Sequence, residues 1–342
     1  MKVKSAWAVA AAVCMAGSLA AVPAGADEGP RLDIDYRKLS AKAFKALAPA
    51  KPRSAKAKAR RAAACTPTTL TRTSSCNGGE ITASVYRRGV VTGTVTVRLA
   101  QHVSMNIKST DFSEDISAEV LRATGEAVGG TLTLTSDCAS PCKAAGRFEG
   151  VMRPGGQIDG KISYSSPVGA GQAHAARPHY TITFASAGAT PTTGSFEGLG
   201  WRCDHALRGQ RAGCVYPSHT PTLTTMQQLP AIAAHIRGVQ NRGPGHYGRP
   251  GSGNPLHREA DRATQDANRG AVCPRIPPVQ HVGKSCDEYP FAATKEGGTT
   301  LGTADRGIAW VPLLEQRRQG GMLRTFYYAN RVLDGDAFWV QV

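Results

Sequence analysis

Lys284–Gly298 reads KSCDEYPFAATKEGG. Cys286 precedes the acidic pair Asp287-Glu288, Tyr289-Pro290-Phe291 follows it, and Glu296 stands before the glycines Gly297 and Gly298. A short apolar run bracketed in this way predicts a strand that enters a tight turn. On a regular strand neighbouring side chains face opposite sides. Asp287 and Glu288 therefore reach one point in space only where the strand bends, and Pro290 suits a bend or an edge position. Three carboxylates so close together in a basic chain have two readings. One is plain solvation of an exposed strand; the other is a site that gathers negative charge to hold a hard cation.

Helical periodicity flanks this stretch on both sides. Upstream, Thr225 and Gln228 form a capping-box pattern that opens a short helix through Ala233 and Ile236. After the loop NRGPGHYGRPGSG, Asn254 as N-cap, Pro255 at the first helical position and Gly270 as a stop frame a helix over LHREADRATQDANR. Cys273 then leads through a proline-rich loop to Cys286, and a bridge between the two would fix the residue before Asp287. Downstream, a second strand is expected over Ile308–Val311. Pro312 then opens a helix that turns Leu313, Leu314, Met322, Leu323, Phe326 and Tyr327 toward the core. Gly320 and Gly321 weaken that helix, which suggests close packing or close ligand approach there. Ala337–Val342 alternates like a final strand. The order helix, helix, strand, strand, helix, strand predicts a small α+β domain over residues 221–342.

Residues 65–220 are rich in Thr, Val, Gly and Ser. Val95, Val97 and Leu99 alternate with Thr94, Thr96 and Arg98, and the period of two recurs in TLTLT from Thr131 and YTITF from Tyr180. Such strands between Gly-rich breaks predict an all-β, sandwich-like accessory domain. His102, His174, His179 and His205 lack metal-ligand spacing and read as surface or turn residues. Residues 27–64 end in KPRSAKAKARRAAA and read as a basic disordered linker. Residues 1–26 have a positive start at Lys2 and Lys4, an apolar stretch of small residues and a small-x-small site at Ala24–Ala26, the pattern of a secretory signal peptide. The expected location is secreted and extracellular, with no transmembrane segment. Cys14 belongs to the leader. The remaining Cys65, Cys76, Cys138, Cys142, Cys203, Cys214, Cys273 and Cys286 fall into four close couples, so local disulfides that pin loops are expected. Zinc is the rival reading, with only Cys138 and Cys142 near the required spacing.

The formal charge of the 342 residues is +16, which becomes +14 when Lys2 and Lys4 leave with the leader. A surface so basic attracts polyanions: nucleic acid, wall polymer or anionic lipid. No GxSxG, HExxH or phosphate-cradling loop is present, so serine-hydrolase, zinc-protease and nucleotide-dependent readings lack support. Phosphodiester hydrolysis needs an activated water and relief of the phosphate charge. A carboxylate alone repels phosphate, whereas Mg²⁺ or Mn²⁺ accepts carboxylate and phosphate oxygens together. The C-terminal region supplies Asp287, Glu288, Glu296 and Glu315 among arginines that include Arg306, Arg317, Arg318 and Arg324.

The signature from Cys286 to Gly298 resembles that of the NucA/NucB family of secreted bacterial deoxyribonucleases. The resemblance implies a compact metal-nuclease-like site of two strands plus a helix, in which Asp287 matches the general base and Glu288 and Glu296 match the other acidic positions. It also implies an acidic residue followed by Asn on the helix after the second strand, near the metal. Here that pair is Glu315-Gln316, and Gln keeps the carbonyl on an arm one methylene longer. The expected site therefore has Asp287 and Glu288 as catalytic residues and Glu296, Gln316 and Glu315 around Mg²⁺ or Mn²⁺. Arg306, Arg317 and Arg318 are expected on DNA phosphates. His257 is the alternative base, because a side chain with a pKa of about 6.5 suits proton transfer. The reading is a secreted, metal-dependent, largely sequence-nonspecific endodeoxyribonuclease. Its alternative is a catalytically weakened protein that binds extracellular DNA, or cell-wall polymer through the accessory domain or basic arm. Gln316 favours the alternative, and the intact acidic motif favours the enzyme.

Overall fold

The computed structural model describes residues 29–46, 69–274 and 281–342. The expected signal peptide, most of the basic segment and Cys65 lie outside the described residues. Among the described residues no helix is long and apolar enough to cross a membrane. The chain is mostly β and builds two hydrophobic cores, one from residues 32–216 and one from residues 223–340.

The first core lies between two antiparallel sheets. The larger has the spatial order β1 (Arg31–Lys38), β2 (Ser74–Arg87), β3 (Val90–Asn106), β4 (Ser109–Gly125), β8 (Gln157–Ser165), β6 (Lys143–Ala145). The smaller runs β11 (Thr192–Glu197), β10 (Pro178–Ala185), β5 (Thr131–Cys138), β7 (Phe148–Val151). Alternation decides which residues turn inward: Val95, Val97 and Leu99 from β3 and Leu132, Leu134, Ile182 and Phe184 from the facing sheet are all fully buried. A polar knot sits among them. The Glu114 carboxylate accepts from Tyr164 and Tyr180, each at 2.8 Å, and from Gln101 at 2.7 Å. Burial pushes Glu114 above the usual carboxylate range, against the pull of those three hydrogen bonds.

The basic segment is not structureless throughout. β1 pairs along its whole length with β2, and a short helix, α1 (Ala41–Ala46), follows it. The reason is legible in RLDIDYRK, where Leu32, Ile34 and Tyr36 alternate with charged residues and pack on the first core. Tyr36 stacks on Phe196 with ring centroids 3.7 Å apart, which joins the edges of the two sheets. Gly79 makes room for it, since a Cβ there would meet the Tyr36 ring at 2.3 Å.

A third sheet, β13 (Gly213–Val215), β12 (Trp201–Asp204), β9 (Ala173–Ala176), carries the Cys203–Cys214 bridge between directly paired residues. Both sulfurs belong to the buried core, so this bridge does not pin a surface loop as expected. Cys138–Cys142 closes the turn between β5 and β6. Cys76 is disulfide-bonded, and its expected partner Cys65 is outside the described residues.

The second core is covered by three helices. These are α2 (Pro230–Arg242), α3 (Arg262–Val272) and α4 (Leu313–Ala329). Two small sheets complete it. One has the order β14 (Thr222–Leu223), β18 (Ala337–Val340), β15 (Leu256–His257), and the other pairs β16 (Lys284–Tyr289) with β17 (Gly307–Pro312). Two helix starts differ from expectation. Thr225–Gln228 is a separate 3₁₀ turn without a side-chain cap, and α2 begins after it at Pro230. Leu256 and His257 are a strand, because β18 offers them an edge. α3 starts only after Asp261, which accepts from Thr264 N at 2.7 Å, and passes Gly270.

The two parts are fastened by charge. Arg331, 1% exposed and in the left-handed region with φ 44°, pairs with the buried Asp204. It also donates to the carbonyls of Ile107 (2.6 Å) and Arg211 (2.9 Å). Arg202 holds Asp336 at 2.7 Å and the Arg331 carbonyl at 2.7 Å. Arg72 reaches the Asn330 carbonyl at 2.6 Å and Asp336 at 2.8 Å. The loop between α4 and β18 is thus gripped by three side chains that arise far earlier in the chain.

Candidate active site

β16 and β17 form an antiparallel ribbon in which Asp287 faces Ala309 and Glu288 faces Ile308 across the strands. α4 follows β17 without a break, and Pro312 is its N-cap residue. The period of two sends Asp287 and Glu288 to opposite sides, as the sequence predicts. Asp287 turns into the core, where its side chain is 1% exposed. One oxygen accepts from Nδ1 of His235 on α2 at 2.8 Å, and the other accepts from Nε2 of Gln319 on α4 at 2.8 Å. Gln316 joins them: with its amide nitrogen toward Asp287 and its oxygen toward Nη1 of Arg269, both contacts are 3.3 Å.

Glu288 faces α3. It accepts from Nη1 of Arg269 at 2.7 Å, while Nη2 of the same arginine reaches the Cys286 carbonyl at 2.6 Å and the Ser285 hydroxyl at 3.2 Å. Burial raises the Glu288 carboxyl above its usual range although Arg269 opposes the shift. The Cys273–Cys286 disulfide, with Cα atoms 5.9 Å apart, ties the end of α3 to the same strand. Cys273, Cys286 and Glu288 lie close enough to suggest a metal cluster, but the bridge consumes both thiolates.

The remaining expected ligands lie elsewhere. Glu296 is buried and accepts from the backbone and Nδ1 of His257, at 2.9 and 2.7 Å. Glu315 accepts from the backbone nitrogens of Ala231 (3.0 Å) and Ile232 (3.2 Å), so it caps α2 from another helix. That supplies the acceptor that the Thr225/Gln228 pattern was expected to give. Gly297 and Gly298 make the predicted turn and admit Asn268 of α3, whose amide would be 3.0 Å from a Cβ on Gly297.

Glu288, Gln316 and Gln319 open on a cavity of about 490 Å³ between α3 and α4, and its cations are Arg258, Arg262, Arg269 and Arg324. The three arginines expected on phosphate are not in its lining. Arg306 borders a smaller pocket of about 200 Å³ with Glu288 and Gly298, Arg318 lines a groove on another side of α4, and Arg317 is exposed. Gly320 faces the cavity with open space where a side chain would be, whereas Gly321 borders the Arg318 groove, so neither glycine is there for close packing.

Sequence reading missed Arg269 and Gln319, and it set His235 behind His257 as a base. His235 and Gln319 sit on the buried faces of their helices, His235 in line with Ile232, Ile236 and Val239, and Gln319 in line with Leu323 and Phe326. A polar side chain at such a position was the available signal. Arg269 carried none, because α3 has no buried face of its own.

An antiparallel ribbon leading into a helix thus carries an acidic pair at its centre, with an arginine-rich cavity beside it whose charge suits a phosphate ester. The family model described as Deoxyribonuclease NucA/NucB matches residues 239–341, the C-terminal region, as the motif from Cys286 to Gly298 leads one to expect. DNA is accordingly the substrate that the family implies, and deoxyribonuclease the activity. A comparison with curated proteins finds no match. Three disulfides among the described residues are compatible with an oxidising, extracellular setting.

Proposed function

We propose that this protein is a secreted endodeoxyribonuclease that depends on Mg²⁺ or Mn²⁺ and cuts with little regard to sequence. The observation that carries the reading is the pairing of Asp287 with His235 and Gln319 directly behind a cavity lined by four arginines. Arg258, Arg262, Arg269 and Arg324 supply charge for a DNA backbone, which suits phosphate positioning. The Asp287–His235 pair takes the proton of the attacking water. Asp287 keeps the His235 proton on Nδ1, and Nε2, buried behind the cavity wall that Gln316 and Gln319 form, has no hydrogen-bond partner among the described residues and so remains an acceptor.

The donors at the cavity fit a hard divalent ion of one kind only. Glu288 and the carbonyl of Gln316 are too few for an ion that demands four protein ligands, but they suit Mg²⁺ or Mn²⁺, which keeps several waters and takes phosphate oxygens for the rest. Such an ion, when bound there, supplies charge relief on the phosphate and acidifies a bound water. Arg269, which holds Glu288 at 2.7 Å, would share that carboxylate with such an ion. Glu296 and Glu315 are committed to His257 and to α2, which leaves them outside the ligand set.

Incubation of plasmid with the full-length protein in Mg²⁺ or Mn²⁺, with and without EDTA, tests the activity. Asp287→Asn tests the site: turnover is expected to fall by about 10²-fold or more, while DNA affinity in EDTA holds. Cleavage by the variant at near wild-type rate would show that the base lies elsewhere, with His257 next to test.

A further inference from the structure

The face of the ribbon that bears Glu288 also bears an aromatic pair. Trp310 stands opposite Cys286 on β17, and His281 lies flat on it with centroids 3.6 Å apart and planes within 4°. Three exposed large apolar side chains, Val282, Ile308 and Leu313, neighbour this stack in the chain or the sheet. Val282 is 82% exposed and follows His281, Ile308 is 41% exposed and shares the Trp310 face, and Leu313 hydrogen-bonds back to Gly283. An open pocket of about 740 Å³ has His281, Lys284, Trp310 and Leu313 in its lining. It shares Arg269 and Asp266 with the arginine cavity, so the two form one continuous surface.

We infer that the His281–Trp310 stack is a nucleobase-stacking subsite for an unpaired nucleotide next to the phosphate held in the arginine cavity. The inference rests on the nuclease reading above and adds a contact to the base. A flat, partly exposed aromatic platform beside cationic side chains suits single-stranded nucleic acid, because every base offers a π-face while its phosphates meet Lys284 and Arg269. Bases within a duplex are already stacked and cannot reach such a platform unless the strand opens or the base turns out. The site therefore takes bases from single strands, nicks and frayed ends, without a preference for one sequence. A protein partner would also value the apolar rim, but the continuity with the phosphate cavity and the charge of Lys284 and Arg269 favour DNA.

The test uses the full-length protein in EDTA, so that binding is read without cleavage. Two fluorescent oligodeoxynucleotides of equal length are compared, one with bases and one abasic throughout. The wild-type protein is expected to bind the base-bearing strand about tenfold more tightly. Trp310→Ala should abolish that difference and leave the abasic strand bound as before; Trp310→Phe, which keeps a ring, should retain most of it and guards against a folding defect. Equal binding of both strands by the wild-type protein would overturn the proposal, as would undiminished discrimination by a folded Trp310→Ala variant. Failure to cut plasmid in Mg²⁺ or Mn²⁺ would instead sink the nuclease reading, and base-dependent binding in EDTA would stand apart from it.

Discussion

Asp287, Glu288 and Glu296 each receive a nitrogen donor at 2.7–2.8 Å: His235, Arg269 and His257 in turn. A carboxyl group taken from water needs partners that replace its lost hydrogen bonds, and these three are all buried. The arrangement also explains why Asp287→Asn is expected to cost about 1–3 kcal/mol of stability as well as turnover, since an amide offers one acceptor where His235 and Gln319 need two. His235→Ala should lower turnover by about 10²- to 10⁴-fold with little change in KM, measured with plasmid under saturating metal. An unchanged turnover would reduce His235 to a core residue. Glu315→Ala removes a helix cap and should cost about 1 kcal/mol in thermal or urea unfolding, with Glu315→Gln recovering most of it through its remaining oxygen. Glu114 carries a pH dependence of its own. Its carboxyl is raised above the unfolded value by burial, so its contribution is fully present below the unfolded pKa and is lost as pH rises through the folded one. Glu114→Gln keeps the shape without the charge; it should flatten that decline and raise the melting temperature at neutral pH. A variant that melts lower than wild type at every pH would count against this account.

At the scale of elements, α3 depends on its connections. It has no buried residue, yet it supplies Arg269, and the disulfide from Cys273 to Cys286 spans 13 residues. Cutting that bridge with the double change Cys273→Ser, Cys286→Ser should cost about 3 kcal/mol through the freedom regained by the unfolded loop. It should also lower activity, because Arg269 would no longer be held against Glu288. Calorimetry with and without reductant reads the first effect and a nicking assay the second; a variant equal to wild type in both would assign the cavity's order to packing alone. The ribbon, α4 and the final strand were legible because their period and their Pro and Gly punctuation are local, although Leu313 and Leu314, expected to face the core, are exposed at the open first turn of α4. The start of α3 was not: Asn254 and Pro255 look like a helix entry, but pairing of Leu256 and His257 with β18 overrides local preference. The role of Glu315 was hidden for the same kind of reason, since the Ala231 nitrogen that it caps lies 84 residues earlier. Alternation in RLDIDYRK was readable, but the basic composition around it masked a strand.

For the whole molecule, the seam at Arg331 is the deciding feature. From the sequence alone the C-terminal piece from about Thr222 looks self-sufficient, because every candidate catalytic group lies in it. The seam changes that expectation. A fragment of residues 222–342 strips Asp204 from Arg331 and Arg72 and Arg202 from Asp336, and uncompensated charges at a former interior are costly. The same loop reaches the cavity: Arg258 donates from its backbone to the Asp336 carbonyl at 3.0 Å and lies over the Tyr327 ring, 4.7 Å from its centroid. The fragment should therefore melt below the full-length protein and bind DNA more weakly. A fragment with equal stability and affinity would return the β-rich part to the status of a separate module. Asp336 gives the seam a pH limit. Burial raises its pKa, but the hydrogen bonds and charge of Arg202 and Arg72 outweigh it and hold the carboxyl below its usual range. Its contribution is present above the unfolded pKa and lost as pH falls through the folded one, so the seam should weaken in acid. Loss of a single cooperative melt at low pH would report it.

The order of those partners along the chain has a temporal meaning. Arg331 meets Asp204 across 127 residues and Arg72 meets Asp336 across 264, so the earlier members wait, unmatched, for the later ones to be made. Contacts so distant in sequence form late, because the loops between them must close first. The last of them frames the helix that bears Gln316 and Gln319. A growing chain that has passed Tyr328 but not Asp336 therefore owns every residue of the cavity lining without the clasp that orders them, and assembly itself postpones the ordering of the proposed site until Asp336 has been made. Chains arrested after Asn330 and chains that also carry Arg331, Asp336 and the last strand, assayed for nicking, should fall on opposite sides of that threshold.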